Sequence, residues 1–537
     1  MMRSNKFQLA WVWLALGIAA SSGCTSVRQY FHNGCKVGPN YCRPATPVAD
    51  NWIEANDKRV QTDHNDLHNW WSVFHDPTLD ALIQNASQQN LTVRQAGFRV
   101  LQARAARGIA VGNMFPQQQD AFGSYTRNAI SAATANSQPG GQRFFDQWDT
   151  GFNLSWELDF WGRYRRAVEA ADADLNASIE NYDEVLITFL ADVASTYIEI
   201  RTIQERIVLT QQNVKLQQET LNVVDARFRG GQVSEFDYDQ AASTLAQTQA
   251  LIPQFQLQLR QAMDRLCVLL AMPPRDLETM IGQAPIPTAP PAVAIGIPAD
   301  LLRQRPDVRS AERQVAAQSA RVGVAESDLY PHIAINGTIG YSAEQFSDLF
   351  TSQAFMGQVG PSFQWNILNY GRLLNNIRLQ DAHLAELIVA YQQSVLQANS
   401  EVEDGVARFL QSQERAKDLA VSVDAANKAY IIGASQYRGG TIDFTRLVLV
   451  EQNLVQQQDQ YAQAQGEIAQ GLVDTYRALG GGWDIRLERL PVVESIPLPS
   501  ANPNAPQQPP MESMPVPSEL GQPTPPAIPP QPLPTNP

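Results

Sequence analysis

The sequence predicts a mostly α-helical fold with a transmembrane β-barrel portion, built from two tandem repeats of a long helical hairpin plus a β-hairpin. Three observations support it: the chain repeats itself internally, each repeat holds segments with a period of two, and each holds a very long helical run. The 537 residues could hold several ordinary domains or one very extended one, so these patterns decide the fold class.

The first element is an export signal. An apolar run from Leu9 to Ala20 follows two basic residues and is too short for a permanent membrane span. Gly-Cys at the end of such a run is the order expected of a lipoprotein signal, which predicts a signal peptide over residues 1–23 and acylation of Cys24. Ser21 stands where such signals usually carry an aliphatic residue, so simple cleavage nearby stays open.

The segment from residue 24 to 75 is predicted to be an N-terminal anchor and linker. It contains Cys35 and Cys42, which are close enough in sequence for a short-loop disulfide in an oxidising periplasm. Two free thiols in a loop are an equally good interpretation. Cys267 lies in an apolar run and is most simply a small core residue.

The chain contains an old internal duplication. Residues 90–116 match residues 305–331 at a constant offset of 215, without a gap. The identical pairs are Val93/Val308, Arg94/Arg309, Ala96/Ala311, Val100/Val315, Ala105/Ala320, Gly108/Gly323, Ala110/Ala325 and Pro116/Pro331. Farther along, at an offset of 209, the pairs are Trp156/Trp365, Gly162/Gly371, Arg163/Arg372, Arg229/Arg438, Gly230/Gly439 and Gly231/Gly440. The sequence therefore predicts repeats over 76–272 and 301–483, joined by a Pro-rich crossover at 273–300.

Each repeat contains one loop-joined pair of strands, predicted at about 117–160 and about 332–368. In the first pair, apolar Phe152, Leu154, Trp156 and Leu158 alternate with polar residues, and Val359, Phe363, Trp365 and Ile367 do so in the second. A period of two is typical of a strand that is buried on one face.

Long helices follow both strand pairs. Residues 163–229 contain no Gly or Pro, and residues 372–438 contain only Gly405 and Gly433, so each run predicts about 100 Å of helix. In the first run, apolar residues recur at spacings of four and three: Tyr182, Leu186, Phe189, Val193, Thr196, Ile200, Ile203 and Ile207. This heptad seam requires neighbouring helices.

Both long helices end at a Gly-Gly pair, where glycine allows the chain to turn back. The residues are Arg229, Gly230 and Gly231 in the first repeat and Arg438, Gly439 and Gly440 in the second. Further helical sequence follows each pair. The repeats are therefore predicted to be helical hairpins with tips at about 229–233 and about 438–442.

Four amphipathic strands cannot close a barrel, because the smallest transmembrane barrels have about eight and open strand edges are not tolerated in lipid. The chain must therefore oligomerise. Three copies would supply twelve strands. The sequence predicts a homotrimer whose 12-stranded barrel continues as a 12-helix periplasmic tunnel.

The overall charge of the chain excludes one class of partner. A net charge of -14 and a pI near 5.0 leave no basic face for a phosphate backbone, so no nucleic-acid partner is expected.

Residues 491–537 hold 17 of the 34 prolines and few large apolar groups, which predicts a disordered tail.

Five motifs spread along the chain carry a family resemblance. They are Lys36–Tyr41, Asp76–Leu79 within Trp71–Ile83, Arg305–Glu312, Asp328–Pro331 and Thr475–Trp483. Together they resemble the TolC/OprM family of outer-membrane efflux proteins, and specifically its OprM/NodT lipoprotein branch.

The resemblance implies a passive outer-membrane channel that is a homotrimer, is not an enzyme and needs no cofactor. It implies a lipid-anchored protein that spans the outer membrane and extends into the periplasm. Its implied partners are outer-membrane lipid, a periplasmic adaptor (membrane fusion protein) and an inner-membrane pump of the resistance-nodulation-division (RND) type. The adaptor is expected to contact the two Gly-Gly tips.

The resemblance also directs attention to a gate, since family members close their periplasmic end near the tips with acidic residues and salt bridges. Asp237 falls on the family's gate aspartate. In the second hairpin, Arg446 and Leu449 stand at the positions where the family usually carries paired aspartates, and Ile442 replaces a gate arginine. We hypothesise that Asp237 and Arg446 pair between adjacent hairpins. The alternative is two solvated surface charges, each worth under about 1 kcal/mol.

Three alternatives differ in class. His64 and His68 have the spacing of a helical metal pair and His75 follows, but no Glu stands beside the first as in a metalloprotease. A purely structural coiled coil is opposed by the strand pairs. A protein-secretion duct is opposed by the lipoprotein-like start and by the motif Arg305–Glu312.

Overall fold

The computed structural model describes four ranges of the chain: 27–61, 67–131, 142–300 and 304–486. The predicted signal peptide with Cys24, the histidine His64 and the Pro-rich tail lie outside the described residues. No helix in the four ranges is long and apolar enough to cross a membrane.

Helices dominate the described chain. In chain order they are α1 (Val27–His32), α2 (Pro77–Gln89), α3 (Leu91–Gly112), α4 (Arg163–Arg229), α5 (Glu235–Leu269), α6 (Glu278–Ile281), α7 (Pro306–Ser327), α8 (Arg372–Arg438) and α9 (Phe444–Ala478). The helices α4 and α8 have 67 residues each and coincide with the two long runs in the sequence. Gly405 and Gly433 do not interrupt α8, because tertiary packing outweighs the modest helix penalty of a single glycine.

The strands are β1 (Val60–Gln61), β2 (Gln118–Ala129), β3 (Phe144–Leu158), β4 (Val293–Ala294), β5 (His332–Ala343) and β6 (Phe355–Gln364). Four of them form one antiparallel sheet in the order β2-β3-β5-β6. The two hairpins of the repeats join along β3 and β5, where Phe152 lies opposite Ile339. In one protomer, β2 and β6 are therefore the two edges of the sheet.

The two faces of this sheet differ in chemistry. The registers put apolar residues of all four strands on one face: Ala121, Trp148, Phe152, Leu154, Trp156, Ile335, Ile339, Phe355, Val359 and Phe363. They put polar residues on the other: Asp120, Ser124, Asn153, Ser155, Asn336, Thr338, Gln358 and Ser362. One face therefore suits lipid, and the opposite face suits water.

The duplication is visible in the hydrogen bonds. The Nε1 atom of Trp156 donates to the carbonyl oxygen of Met114 at 3.2 Å, and Nε1 of Trp365 donates to that of Leu329 at 2.9 Å. Met114 and Leu329 are equivalent at the offset of 215. In each repeat, a tryptophan thus ties the sheet to the end of the preceding helix.

The helix α4 lies at the centre of the helical part and packs against α3, α5, α7 and α9. Its predicted seam is buried at six positions: Leu186, Phe189, Val193, Thr196, Ile200 and Ile203. The end residues of that seam, Tyr182 and Ile207, are only partly buried. The heptad pattern thus identifies the core-facing side of α4 over its middle part.

The predicted linker and the predicted crossover contain more structure than their composition indicates. Their short strands β1 and β4 pair in parallel, with Val60 opposite Val293. Nearby, Nε1 of Trp52 donates to the carbonyl oxygen of Gly296 at 2.9 Å. The two segments therefore hold each other against the helices.

The disulfide that the spacing left open is not formed. Cys35 and Cys42 are both free thiols, as is the buried Cys267. The Cys35 thiol contacts the Tyr30 hydroxyl instead. Of the two interpretations, the structure has the pair of free thiols.

Candidate functional site

The candidate site is the end of the helical part where both hairpins turn. Gly231 and Gly440 have φ angles of 69° and 75°, a conformation that side chains rarely adopt, and they follow Gly230 and Gly439 with φ near −80°. At both turns the amide after the positive-φ glycine bonds back to the helix, from Gln232 in the first. The two tips are therefore the same turn, built twice.

The tips of the two hairpins share one apolar core. Its buried members are Val224, Ala241, Ala426, Tyr430, Tyr437, Phe444, Leu447, Val448 and Leu454, which come from α4, α5, α8 and α9. Ile442, at the position that the resemblance predicted for a gate arginine, packs against this core. The two hairpins of one protomer are therefore joined at this end.

Arg227 of the first hairpin holds the turn of the second. Its Nη2 donates to the carbonyl oxygen of Arg438 at 2.9 Å, and its guanidinium lies 4.6 Å from the ring centre of Tyr437. Arg229 is exposed and pairs with Asp225 at 2.9 Å. Sequence reasoning did not identify Arg227, because neither its spacing nor the family motifs mark it.

Asp237 has a structural partner in its own helix. Its Oδ2 accepts from the Ser234 backbone amide at 3.1 Å and from the Ser234 hydroxyl at 2.9 Å, while its own amide donates to Ser234 Oγ at 3.3 Å. The two residues form a capping box at the start of α5. The carboxylate at the predicted gate position therefore also closes a helix end.

Arg446 occupies the equivalent position of α9 without such a role. The N-cap there is Asp443, whose Oδ1 accepts from the Arg446 amide at 2.8 Å. The Arg446 side chain is exposed, and in the described part of the protomer it forms no ion pair. A cation in the first turn opposes the helix dipole, so the local structure gives no reason for it. Within one protomer, Asp237 and Arg446 are not brought together.

One buried carboxyl lies between the hairpins. Glu451 on α9 is 4 % exposed, and its Oε1 accepts from the Thr220 hydroxyl of α4 at 2.5 Å. Burial raises the pKa of Glu451 to about 7, and the Thr220 hydrogen bond opposes this shift only in part. A signal for Glu451 was present in the sequence: it interrupts the apolar series Phe444, Leu447 and Leu454 at heptad spacing.

The polar face of the sheet is suited to line a water-filled passage. Ser155 donates to Asn336 Oδ1 at 2.7 Å, and Asn336 Nδ2 donates diagonally to the Ser362 hydroxyl at 2.8 Å, which links three strands. In the next row, Thr338 donates to Asn153 Oδ1 at 2.9 Å. These side chains satisfy one another without an apolar cover.

The N-terminal segment is fastened at the base of the sheet. The Tyr30 hydroxyl donates to the carbonyl oxygen of Phe160 at 2.8 Å, and Arg165 donates to the carbonyls of Gly34 and Cys35, both at 2.8 Å. Phe160 follows β3, and Arg165 lies in the first turn of α4. The chain that follows Cys24 is therefore held where the sheet meets the helices.

The described residues contain no group of three or more His, Cys, Asp or Glu that could hold a metal ion. The chemistry at the tips consists of arginines, capped helix ends and one buried acid.

A family model described as "Outer membrane efflux protein" matches two segments of the chain, residues 82–271 and 297–481. These two matches follow the internal duplication. A pyoverdine export outer membrane protein, OpmQ, of Pseudomonas putida is 32% identical over 427 residues, covering 77% of this chain and 88% of the relative.

Two further similarities cover slightly more of the chain. Nodulation protein T of Rhizobium leguminosarum bv. trifolii is 30% identical over 456 residues, covering 84% of this chain and 95% of the relative. The solved structure of the outer-membrane channel OprN has 32% sequence identity and a TM-score of 0.79, covering 84% of this chain and 100% of that one.

Proposed function

The chain belongs to the outer membrane efflux protein family, and we propose that three copies form a passive channel that opens and closes at the hairpin tips. The protein is an outer-membrane channel of an efflux system, located in the outer membrane. The trimer, its partners, its lipid anchor and its gate are proposals.

The proposal of a trimer rests on the open four-stranded sheet. Its edges, β2 with 12 residues and β6 with 10, have no partner strand among the described residues. Such edges are not stable in lipid, and an apolar face across all four strands requires lipid. Pairing β6 of one copy with β2 of the next gives twelve strands in three copies.

Apolar side chains left uncovered on the helices support the same assembly. On α3, Leu91, Phe98, Leu101 and Ile109 are all more than half exposed and recur at near-heptad spacing. On α8, Val389 and Leu396 are exposed and lie seven residues apart. A second copy of the chain would cover such stripes.

Native mass spectrometry of the detergent-extracted protein tests the trimer. A mass of three chains supports it, together with resistance of the band to detergent at room temperature. A single chain that inserts into bilayers and conducts ions would contradict it.

The partners are proposed to be a periplasmic adaptor and an inner-membrane RND pump, with the tips at 229–233 and 438–442 as the adaptor contact. Arg229 and the Gly-Gly turns protrude there, and relatives named for pyoverdine export and toluene efflux support a small-molecule cargo. Photo-crosslinking from position 232 in whole cells tests this contact. A matched probe at the exposed position 218, about three helical turns before the end of α4, should capture far less adaptor.

The gate is proposed to use an ion pair between Asp237 and Arg446 of adjacent hairpins. Arg446 has no ion-pair partner within the described protomer, and its charge is unfavourable at a helix start. Asp237 keeps one carboxylate oxygen, Oδ1, outside its capping box. A partner protomer could therefore bring the two charges together.

Conductance of the purified trimer in planar bilayers tests the gate. Asp237→Asn retains an oxygen for the capping box and removes the charge, so it should raise the closed-state current, as should Arg446→Ala. The exchanged pair Asp237→Arg/Arg446→Asp should restore low current. If both single variants leave the closed-state current unchanged, the ion pair has no gating role.

Cys24 is proposed to carry the lipid anchor. Two residues separate it from Val27, at most about 11 Å of extended chain between the two Cα atoms, and the following segment is held at the base of the sheet. Mass spectrometry of the N-terminal peptide should find an acylated cysteine. An unmodified N-terminus at another residue would indicate simple cleavage.

A further inference from the structure

The buried seam of α4 changes its chemistry toward the tip. Beyond Ile207, which is partly buried, the fully buried positions of the seam recur at spacings of three and four but are polar: Thr210, Asn213, Gln217 and Thr220. The apolar pattern returns only at Val224, which belongs to the tip core. Along this one seam, the tip-proximal part of α4 thus buries polar side chains, whereas the middle part buries leucine, phenylalanine, valine and isoleucine with a single threonine, Thr196.

The partner of this polar seam is α9 of the second hairpin. Thr220 bonds Glu451 at 2.5 Å, and Asn213 Nδ2 donates to Gln458 Oε1 at 2.7 Å. The two contacts share one antiparallel register, because Thr220 lies seven residues after Asn213 on α4 and Glu451 lies seven residues before Gln458 on α9. In that register Gln217 lies level with Leu454, and neither polar atom of its buried amide has a hydrogen-bond partner among the residues that the structure describes.

Side-chain contacts of this kind differ from those of a permanent core. Separating two apolar surfaces exposes them to water, which opposes the separation. Separating Thr220 from Glu451 and Asn213 from Gln458 lets water replace each hydrogen bond, and it supplies the bonds that Gln217 lacks. The seam therefore resists opening less than an apolar interface of the same extent would.

The surroundings of Glu451 contain little to stabilise a negative charge. On α4, Thr220 is its hydrogen-bond donor and Glu219 lies nearby as a second, largely exposed acid. On α8, the buried Tyr430 interacts with Glu451, while Arg438 points at Glu219 from 4.0 Å. Burial is the main cause of the pKa shift of Glu451, and the Thr220 hydrogen bond acts against it. No cation in the described residues pairs with Glu451.

We propose that this polar seam, between Thr210–Thr220 of α4 and Glu451–Gln458 of α9, is the plane along which the two hairpins separate when the tips open. Glu451 acts as its pH-responsive element, because its carboxyl fits the closed seam only while it holds its proton. The inference rests on the proposed function, since it assigns a movement to the same tips.

The direction of the pH effect follows from linkage. The pKa of Glu451 is about 7 when buried, above the usual value for a glutamate in water. The closed state therefore binds the proton more tightly than an open, hydrated state, so closure is favoured at acid pH and weakens as pH rises through neutrality. Because one pKa unit is tenfold in equilibrium, the open-to-closed ratio should rise at least about tenfold from pH 5 to pH 8.

Conductance of the full-length trimer in planar bilayers at pH 5 to 8 tests the inference. The wild type should open progressively over this range. Glu451→Gln keeps an acceptor for Thr220 without a charge, so it should stay closed and lose the pH dependence. Glu219→Gln, which removes an exposed charge beside Thr220, should keep the wild-type profile. A Glu451→Gln profile that parallels the wild type would overturn the proposal.

A second measurement separates this inference from the gate itself. Amide hydrogen exchange over residues 210–224, corrected for its intrinsic pH dependence, should increase with pH in the wild type and not in Glu451→Gln. If exchange responds to pH but no variant changes the current, the seam moves and the tips are not the gate. The opposite result is that variants of Asp237 or Arg446 change the current, while Glu451→Gln changes neither the current nor the hydrogen exchange. That result would support the proposed gate and contradict the seam proposal.

Discussion

Two equivalent helix positions carry opposite charges, and only one of them suits its helix. Asp237 stabilises the start of α5 through its capping box with Ser234, whereas Arg446 stands at the start of α9 against the helix dipole. The charge on α9 therefore has to be explained by something outside that helix. A partner carboxylate in the assembled protein is the explanation that we test.

Replacing Arg446 with Glu should separate helix stability from gating. The acid suits the first turn of α9 and can complete a capping box with Asp443, so the helix end should gain about 0.5–1 kcal/mol. The closed-state current should nevertheless rise, because two acids now face each other at the proposed pair. Hydrogen exchange of the first turn and bilayer conductance measure the two effects.

The neighbouring residue supplies the control for this prediction. Thr445→Glu adds an acid to the same exposed turn and leaves Arg446 in place, so it should stabilise the helix without raising the current. Equal currents in the two variants would show that charge at the tip, and not the pairing, matters.

Sequence reasoning at this scale found some roles and missed others. The pattern Ser234-x-x-Asp237 is readable as a capping box, but the family resemblance directed attention to gating alone. Glu451 was visible as one acid in an apolar series. Its burial was not, because that depends on α4, more than 200 residues earlier in the chain.

At the scale of single turns, the tips depend on backbone conformation more than on contacts. A Cβ atom added at Gly231 would meet no atom within 4 Å, yet its φ of 69° strains any side chain. Gly231→Ala should therefore destabilise the tip by about 1–2 kcal/mol. The measurement is protease cleavage or hydrogen exchange at residues 229–233 in the folded trimer.

Gly230 gives the matched comparison for this turn. It has an ordinary helical φ of −80°, and an added Cβ would contact its nearest neighbours at 3.4 Å. Gly230→Ala should change tip stability much less than Gly231→Ala. Equal effects of the two variants would mean that space, rather than backbone conformation, limits the turn.

The seam between α4 and α9 gives a prediction for a whole helix pair. Gln217 is buried, its amide has no hydrogen-bond partner in the described part of the chain, and the register puts it level with Leu454. Gln217→Leu should stabilise the closed pair by about 1–2 kcal/mol, since it removes an unsatisfied amide and adds an apolar contact. The current at pH 8 should fall. Gln218→Leu, on the exposed side of the same turn, should leave the current unchanged.

The elements themselves were largely predictable, for identifiable reasons. The ends of α4 and α8 follow from glycines at both ends, and the two long strand pairs follow from their period of two. The pairing of β1 with β4 was not predictable. Two-residue strands have no periodicity, and their partners are more than 200 residues apart in sequence.

For the whole molecule, the sheet is what couples fold to assembly. One protomer supplies an apolar face and a polar face across four strands but no closed edge. The number of strands and the alternation of apolar and polar residues along them could be predicted from the sequence. No motif indicated that the two hairpins join along β3 and β5, although this junction decides which two strands remain as edges for the proposed pairing with other copies.

Adjacent residues of β6 test which face meets lipid. Val359 is 77 % exposed on the apolar face of the protomer, and Gln358 points to the polar face beside Thr338. Val359→Arg should cost about 2–4 kcal/mol per protomer near the middle of the bilayer, so the yield of detergent-resistant trimer should fall sharply. Gln358→Arg should assemble normally and shift the channel's ion preference toward anions, because it adds three cations to the lumen. Loss of assembly in both variants would point to the strand edge, and loss in Gln358→Arg alone would reverse the assignment of the two faces.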